Sequence, residues 1–367
     1  MAKAGTRIER MEAAGMDWTT NRLDEVAASF ERAADAAGGA SLDEYDVGGA
    51  SVDLQFASPA LRDRLTPAFA HLAARAGDAS PTPSLTVHLW DSASTGAEPP
   101  PHPRTSPDQP PGALYHFHEP PVRVAYQPGL ETLSILDTEA GVAWHWVADA
   151  LEQPSWDQAC PIRQILFWWL AARGYLQVHG AAVGTAAGGV LVVGQAGSGK
   201  STVALACLSS ELLYAGDDYV AVAVDPSPSV ASLYNSAKLE PAHVHELFPH
   251  LLPLLANADR LDTEKAVLYV HEHFPEQTTA AFPLSAVLVP RLRPARREPQ
   301  IAEASRATAF AALAPSTIFQ LHTAGADELA TMSRLVARLP CYELEVGSDL
   351  SAIPATVVDL LSILRQE

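Results

Sequence analysis

Eight consecutive residues constrain this chain more than any others: Gly194-Gln195-Ala196-Gly197-Ser198-Gly199-Lys200-Ser201. They fit the phosphate-binding pattern G-x-x-x-x-G-K-[ST] at every fixed position. The apolar run Val190-Leu191-Val192-Val193 predicts a strand leading in. Residues 201–208 predict a helix leading out, with Ala204, Leu205 and Leu208 as its buried stripe. In that setting glycines let backbone N–H groups turn inward, and the helix N-terminus adds partial positive charge. Lys200 then reaches the β- and γ-phosphates, and the Ser201 hydroxyl ligates Mg²⁺. Gln195, Ala196, Ser198 and Thr202 complete the nucleotide cradle around Gly194, Gly197 and Gly199. The bland alternative is a glycine-rich turn between a strand and a helix.

At 367 residues the length predicts two domains, or one with a large elaboration. The chain carries 43 acidic against 24 basic residues, a formal net charge of −19 spread along its length. Such a surface repels nucleic acid and anionic membranes, so neither is expected as a partner. Cys160, Cys207 and Cys341 stand far apart without zinc-ligand spacing. The opening residues show no apolar core of a signal peptide, and no run is long enough to span a bilayer. These features predict a soluble cytoplasmic protein. A homo-oligomer is compatible with them.

Residues 1–150 read as an N-terminal α+β module, with helices over 21–37 and 58–75. Its strands fall over 50–57, 85–90, 114–117, 123–126, 132–137 and 142–147. Residues 96–112, GAEPPPHPRTSPDQPPG, are too proline-rich for helix or sheet and predict an exposed loop. Residues 156–367 form the second domain, starting with an apolar helix over 159–173. A strand over 176–183 and a turn over 184–189 make the strand before the loop the second arm of a hairpin. Further strands are expected over 212–215, 220–224, 284–289 and 341–346, and helices over 327–339 and 356–365.

Asp217-Asp218 follows Lys200 by one helix and one strand, a return path that brings carboxylates beside the phosphates. Phosphoryl transfer needs a metal-bound phosphate and a group that orients or deprotonates the acceptor. One carboxylate would hold Mg²⁺ and the other would take the proton. An acidic pair after a glycine is otherwise a common turn. His179, on the arm paired with the incoming strand, can reach the same mouth. Lys238 and Arg291 are cationic candidates to neutralise the transferring group, and Ser316-Thr317 either borders the site or caps a turn. The pairs His116/His118, His243/His245 and His271/His273 would each share a face in a strand, but none has a third metal ligand nearby in sequence.

Residues 178–224 resemble the catalytic domain of HPr serine kinase/phosphorylase, and still more the HPr-kinase-related bacterial proteins. The resemblance rests on four features in order: His179-Gly180, the hairpin, the P-loop and Asp217-Asp218. It continues through Ser232–Leu239, Val289-Pro290-Arg291 and Pro315–Gln320, and so covers roughly 160–367. It implies an α/β fold with a P-loop domain like those of HPr kinase and phosphoenolpyruvate carboxykinase. It also implies ATP and Mg²⁺ as cofactors, and a peptide or protein serine as acceptor. By position, Asp218 matches the general base, Asp217 its neighbour near the metal together with Ser201, and His179 the histidine beside the catalytic aspartate. Lys200 matches the phosphate lysine. The glycine-rich signature that supports phosphorolysis in HPr kinase is missing; Asn235, Ser236 and Lys238 stand there instead. Some of these relatives phosphorylate the C-terminal serine of lasso precursor peptides, which supplies the expected substrate class. A small-molecule kinase and a non-catalytic, nucleotide-gated binding module are the alternatives.

Overall fold

The computed structural model describes residues 22–74, 83–103, 114–321 and 324–366. Of the proline-rich segment, 104–112 lies outside them, and 96–103 contains neither helix nor strand. Residues 21 and 75, which end two of the expected helices, also lie outside. The chain is mixed α/β and divides into two compact units. Among the described residues, the first draws on those within 22–66, 73–153 and 162–172, the second on those within 67–72, 154–161 and 173–366.

The first unit is built on one seven-stranded sheet. Its strands are β1 (Ser41–Val47), β2 (Ala50–Phe56), β3 (Leu85–Asp91), β4 (Tyr115–Glu119), β5 (Val122–Gln127), β6 (Thr132–Asp137) and β7 (Val142–Val147). Their order is β1-β2-β3-β7-β6-β5-β4, with β2, β3 and β7 parallel and the remaining pairs antiparallel. The amphipathic helix Leu23–Ala37 turns Val26, Phe30 and Ala33 inward, and Phe30 meets the edge of Trp90 at 5.8 Å.

The second unit carries the glycine-rich loop. Its strands are β8 (Tyr175–Val178), β9 (Gly180–Thr185), β10 (Gly188–Val193), β11 (Leu213–Gly216), β12 (Val220–Ala223), β13 (Ser229–Ser232), β14 (Ser236–Leu239), β15 (Ala266–Tyr269), β16 (Ala281–Leu292), β17 (Gln300–Glu303) and β18 (Cys341–Val346). The central strands β10, β16 and β18 are parallel. Strand β9 pairs antiparallel with both β10 and β11. Strands β14 and β15 form a separate ribbon. The period of two along β10 sorts its side chains between two cores. Val190 and Val192 pack with Val203, Ala204 and Leu205 of the helix Lys200–Cys207, and with Ile353, Val357 and Leu361 of the terminal helix. Leu191 and Val193 face the other way, toward Leu313 of the helix Arg306–Gln320 and Leu335 of the helix Ala326–Arg338. Burial on both faces explains why the run is apolar without alternation.

Four expected elements differ from those observed. The strand over 176–183 breaks at His179: β8 pairs with β12, whereas β9 pairs with β10 and β11. The helix over 159–173 becomes a short turn, Ser155–Gln158, and a helix, Arg163–Ala172. Pro161 has no N–H to continue a helix, and Ile162 takes a φ of 48°. The helix from residue 58 is α-helical only over Pro59–Leu65 and then tightens to a 3₁₀ stretch, Thr66–Leu72, with Pro67 near its start. Finally, Pro290 does not end β16, because a proline fits where its missing N–H costs no ladder bond.

Candidate active site

The loop from Gly194 to Gly199 runs directly from β10 into the helix Lys200–Cys207. Gly199 is the N-cap, with φ 104°, a left-handed conformation that a side chain disfavours. A Cβ at Gly194 would collide with the Ser198 hydroxyl, so a side chain there would have to displace Ser198 within the loop. The Lys200 ammonium curls back over the loop and donates to the carbonyls of Gly194 at 2.7 Å and Gln195 at 3.3 Å. Burial pushes its pKa down, while Asp217 and Asp218 oppose that fall. The loop opens on a cavity of about 490 Å³ that Lys200, Ser201, Thr202, Lys238, Lys265 and Arg293 help to line. A second cavity of about 520 Å³ adjoins Gly194–Ser198 and Arg291.

The acidic pair lies just after β11. Asp217 is fully buried, and one of its carboxylate oxygens, Oδ1, has no hydrogen-bond partner. The other accepts from the Lys238 backbone N–H at 3.4 Å. Burial, and then the neighbouring Asp218 charge, push the Asp217 carboxyl up; a hydrogen bond from Ser201 and the Lys200 charge hold it back. Asp218 adopts φ 69°, and the Tyr219 N–H closes the turn on the Asp217 carbonyl at 2.8 Å. A left-handed aspartate of this kind costs on the order of 1–3 kcal/mol and persists only where its surroundings hold it.

Those surroundings are specific. Asp218 Oδ1 accepts from His179 Nε2 at 3.0 Å, and Oδ2 pairs with the Lys238 ammonium at 2.5 Å. Burial alone would raise the Asp218 carboxyl; the Lys238 charge and the His179 hydrogen bond outweigh it and hold the group well below the usual carboxylate range. Lys238 is raised in turn, the Asp218 charge overcoming its own burial. His179 sits at the break between β8 and β9, where its backbone pairs with neither ladder. Its Nδ1 lies 2.7 Å from Ser316 Oγ, and its backbone N–H donates to Thr317 Oγ1 at 3.3 Å. A carboxylate can only accept, so Nε2 carries a proton; the Ser316 hydroxyl can serve Nδ1 as donor or acceptor.

Some residues singled out in the sequence lie elsewhere, and others have a different setting. Arg291 borders the second cavity beside the loop, but it is exposed and its guanidinium donates to Glu343 at 2.9 Å. Asn235 holds the carbonyls of Pro67 and Ala68, and Ser236 donates to the Ala159 carbonyl. Lys238 is the polar residue of that stretch that reaches Asp218. Of the two readings of Ser316-Thr317, bordering the site is the one observed: both lie inside the helix Arg306–Gln320, which contains Pro315, and contact His179, rather than capping a turn. His243/His245 and His271/His273 lie on helices, where i and i+2 do not share a face; only His116/His118 lies on a strand. Cys160, whose thiol stands 3.7 Å from Asp218 Oδ2 and 3.5 Å from the Lys238 ammonium, is a neighbour that its spacing in the sequence did not suggest.

The residues fit a Mg²⁺ ion on their own chemistry. Mg²⁺ favours oxygen ligands, needs only one or two carboxylates beside phosphate oxygens, and keeps several waters. The unpartnered Asp217 Oδ1, with the Ser201 hydroxyl close by, supplies that donor set. Among the described residues no group of three or more His, Cys, Asp and Glu side chains is placed to hold a metal without such phosphate and water ligands. None of the described helices is long and apolar enough to cross a membrane.

No family model matches the chain, and no curated protein does. Among solved structures it is similar to the Hpr(Ser) kinase/phosphatase from Coxiella burnetii, at 10% sequence identity and a TM-score of 0.29. The match covers 52% of this chain and 99% of that one.

Proposed function

We propose that this chain is an ATP-dependent phosphotransferase that moves the γ-phosphoryl group to a serine hydroxyl of a peptide or protein. The observation that carries this reading is a convergence within one compact unit: a lysine-bearing glycine-rich loop opens beside an aspartate pair, and a histidine and a second lysine hold Asp218. Residues 194–202 would hold the triphosphate through backbone N–H groups and Lys200. Ser201 and Asp217 would hold Mg²⁺, whose contribution when bound is to neutralise charge on the phosphates.

Asp218 is the acceptor's base. As the serine oxygen bonds to the γ-phosphorus, the bond to the departing ADP oxygen breaks, and the serine proton passes to Asp218. The products are a phosphoserine, ADP and one proton. A carboxylate held below its usual range is a weaker base than a free one. A loose phosphoryl-transfer transition state asks for positioning more than for basicity. His179 fixes the direction of the Asp218 oxygens. The resemblance to the HPr-kinase-related proteins supports a narrower acceptor, the C-terminal serine of a lasso-type precursor peptide.

The test is label transfer from γ-labelled ATP with Mg²⁺ to two panels. One holds serine peptides, including those encoded beside this gene; the other holds hydroxylated metabolites. Acid-stable, alkali-labile label on a peptide serine supports the reading. Label on a metabolite alone moves the acceptor to small molecules. ATP binding with no transfer to either panel overturns the kinase reading in favour of a nucleotide-gated binding module.

A further inference from the structure

Lys238 occupies two places at once. Its ammonium is 2.5 Å from Asp218 Oδ2, and the residue also lines the cavity into which the glycine-rich loop opens, together with Lys200, Ser201 and Thr202. The side chain is only 10% exposed, so the charge is largely withdrawn from water. Its other partners carry no formal charge: the Trp156 carbonyl at 3.2 Å, the Cys160 sulfur at 3.5 Å, and the Tyr219 ring at 6.0 Å from ammonium to centroid. With Lys238 in place, both Asp218 oxygens are engaged, Oδ1 by His179 and Oδ2 by the ammonium. A cation held against Oδ2 favours the ionised carboxylate and so opposes proton transfer to the base while Lys238 stays there.

We propose that Lys238 is a catalytic residue that couples nucleotide arrival to release of the base: its ammonium rests on Asp218 Oδ2 and moves to the γ-phosphoryl oxygens of ATP. This deepens the kinase reading and rests on it. A γ-phosphate carries more negative charge than one carboxylate and is the stronger partner for a desolvated ammonium. The transfer keeps Lys238 paired throughout. It frees Oδ2 for the serine proton, and it places a positive charge where charge redistributes as the γ-phosphorus–oxygen bond to ADP breaks. ADP has no γ-phosphate and leaves the Asp218–Lys238 pair closed. The base is therefore shielded from the acceptor until a triphosphate is bound.

A residue with that role leaves a signature in binding as well as in rate. The resting ion pair competes with ATP for Lys238, so breaking it from the carboxylate side should favour ATP. The experiment measures MgATP and MgADP dissociation constants for wild type, Lys238→Met, Lys238→Arg, Asp218→Asn and the double variant Lys238→Met/Asp218→Asn. Expected are a roughly tenfold or greater loss of ATP affinity in Lys238→Met, with ADP affinity within about twofold of wild type. Lys238→Arg should recover much of that loss. Asp218→Asn should bind ATP several-fold tighter than wild type, again with ADP unchanged, and the double variant should lose that gain. The double variant removes both buried charges, so it remains informative if Lys238→Met alone does not fold.

Parallel changes in ATP and ADP affinity, or an Asp218→Asn variant with no gain for ATP, would overturn the proposal and leave the pair a structural contact. These constants are read without an acceptor. Failure to find a phosphorylated product therefore counts against the kinase reading, and loss of ATP/ADP discrimination counts for the role of Lys238.

Discussion

His179 and Asp218, 39 positions apart in the chain, meet through a 3.0 Å hydrogen bond from Nε2 to Oδ1. The opposite ring nitrogen is 2.7 Å from Ser316, which lies on a helix packed on the far side of β10 from the helix after the loop. Three segments thus fix the direction in which one carboxylate points. His179 acts through Asp218 and is a positioning residue. His179→Ala should lower phosphoryl-transfer turnover by about 10²-fold, the lower end of what a positioned acid–base group contributes, with the ATP dissociation constant unchanged. His179→Gln, which keeps a donor for Oδ1, should recover part of the rate. Ser316→Ala should cost about tenfold or less. Rate and binding constants measured on the same preparations separate this from a folding defect.

Asp217 is a different case. Its carboxylate is wholly buried beside a like charge, with one oxygen unpartnered. Burying an ion without full compensation is destabilising. Asp217→Asn should therefore leave the ligand-free protein as stable as wild type, or more stable by about 1 kcal/mol. The same variant should lose most of the rise in melting temperature that Mg²⁺ and ATP together give wild type. Thermal melts with and without the ligands check both halves of this expectation.

Gly199 must hold φ 104° for the loop to enter the helix, and an added Cβ would come within 3.0 Å of Leu292. Leucine can shift, but the backbone conformation cannot be relieved so easily. Gly199→Ala should cost about 1–2 kcal/mol from the left-handed backbone alone. It should also weaken ATP binding, because the first N–H groups of the helix would no longer face the loop's concavity. Denaturant midpoints and an ATP titration give the two numbers.

Three histidines withdrawn from water set an acid limit, and burial lowers one of them, His88, to about 4. Burial lowers His145 to about 4. Burial first, and then His271, lowers His71 to about 3. In the unfolded chain each titrates near about 6.5. Below that pH the unfolded chain takes up protons that the folded chain refuses, so stability falls as pH falls. Their contribution is intact above about 6.5 and declines by about 1.4 kcal/mol per pH unit for each histidine down to its folded value. Urea unfolding at pH 7.5 and 5.0 should show the loss, and His145→Gln should reduce it.

Much of this architecture is legible in the sequence where local rules coincide. The apolar run Val190–Val193, the three loop glycines and the small-residue helix after Lys200 each specify the same turn from strand to helix, and all three appear where they are expected. The nearness of Asp217-Asp218 to Lys200 follows from the shortness of one helix and one strand. Less legible is whatever depends on long-range packing. The helix Arg306–Gln320 is not among the elements expected from the sequence; it runs through Pro315 and delivers Ser316 to His179, because packing on Val193 and Leu191 outweighs one lost backbone bond. Lys238 looks like an ordinary solvated lysine, since nothing within a few residues announces a carboxylate 20 positions earlier in the chain. The break at His179 was hidden by a run of apolar residues on both sides, which periodicity alone reads as one strand.

The most direct measurement is acceptor phosphorylation from γ-labelled ATP by wild type and by Asp218→Asn at equal ATP saturation, with the product mapped by mass spectrometry. The account predicts a phosphoserine formed by wild type and a loss of at least about 10²-fold in turnover in the variant, while ATP still binds. Equal turnover by both proteins would contradict it, because Asp218 would then not be the group that takes the acceptor's proton.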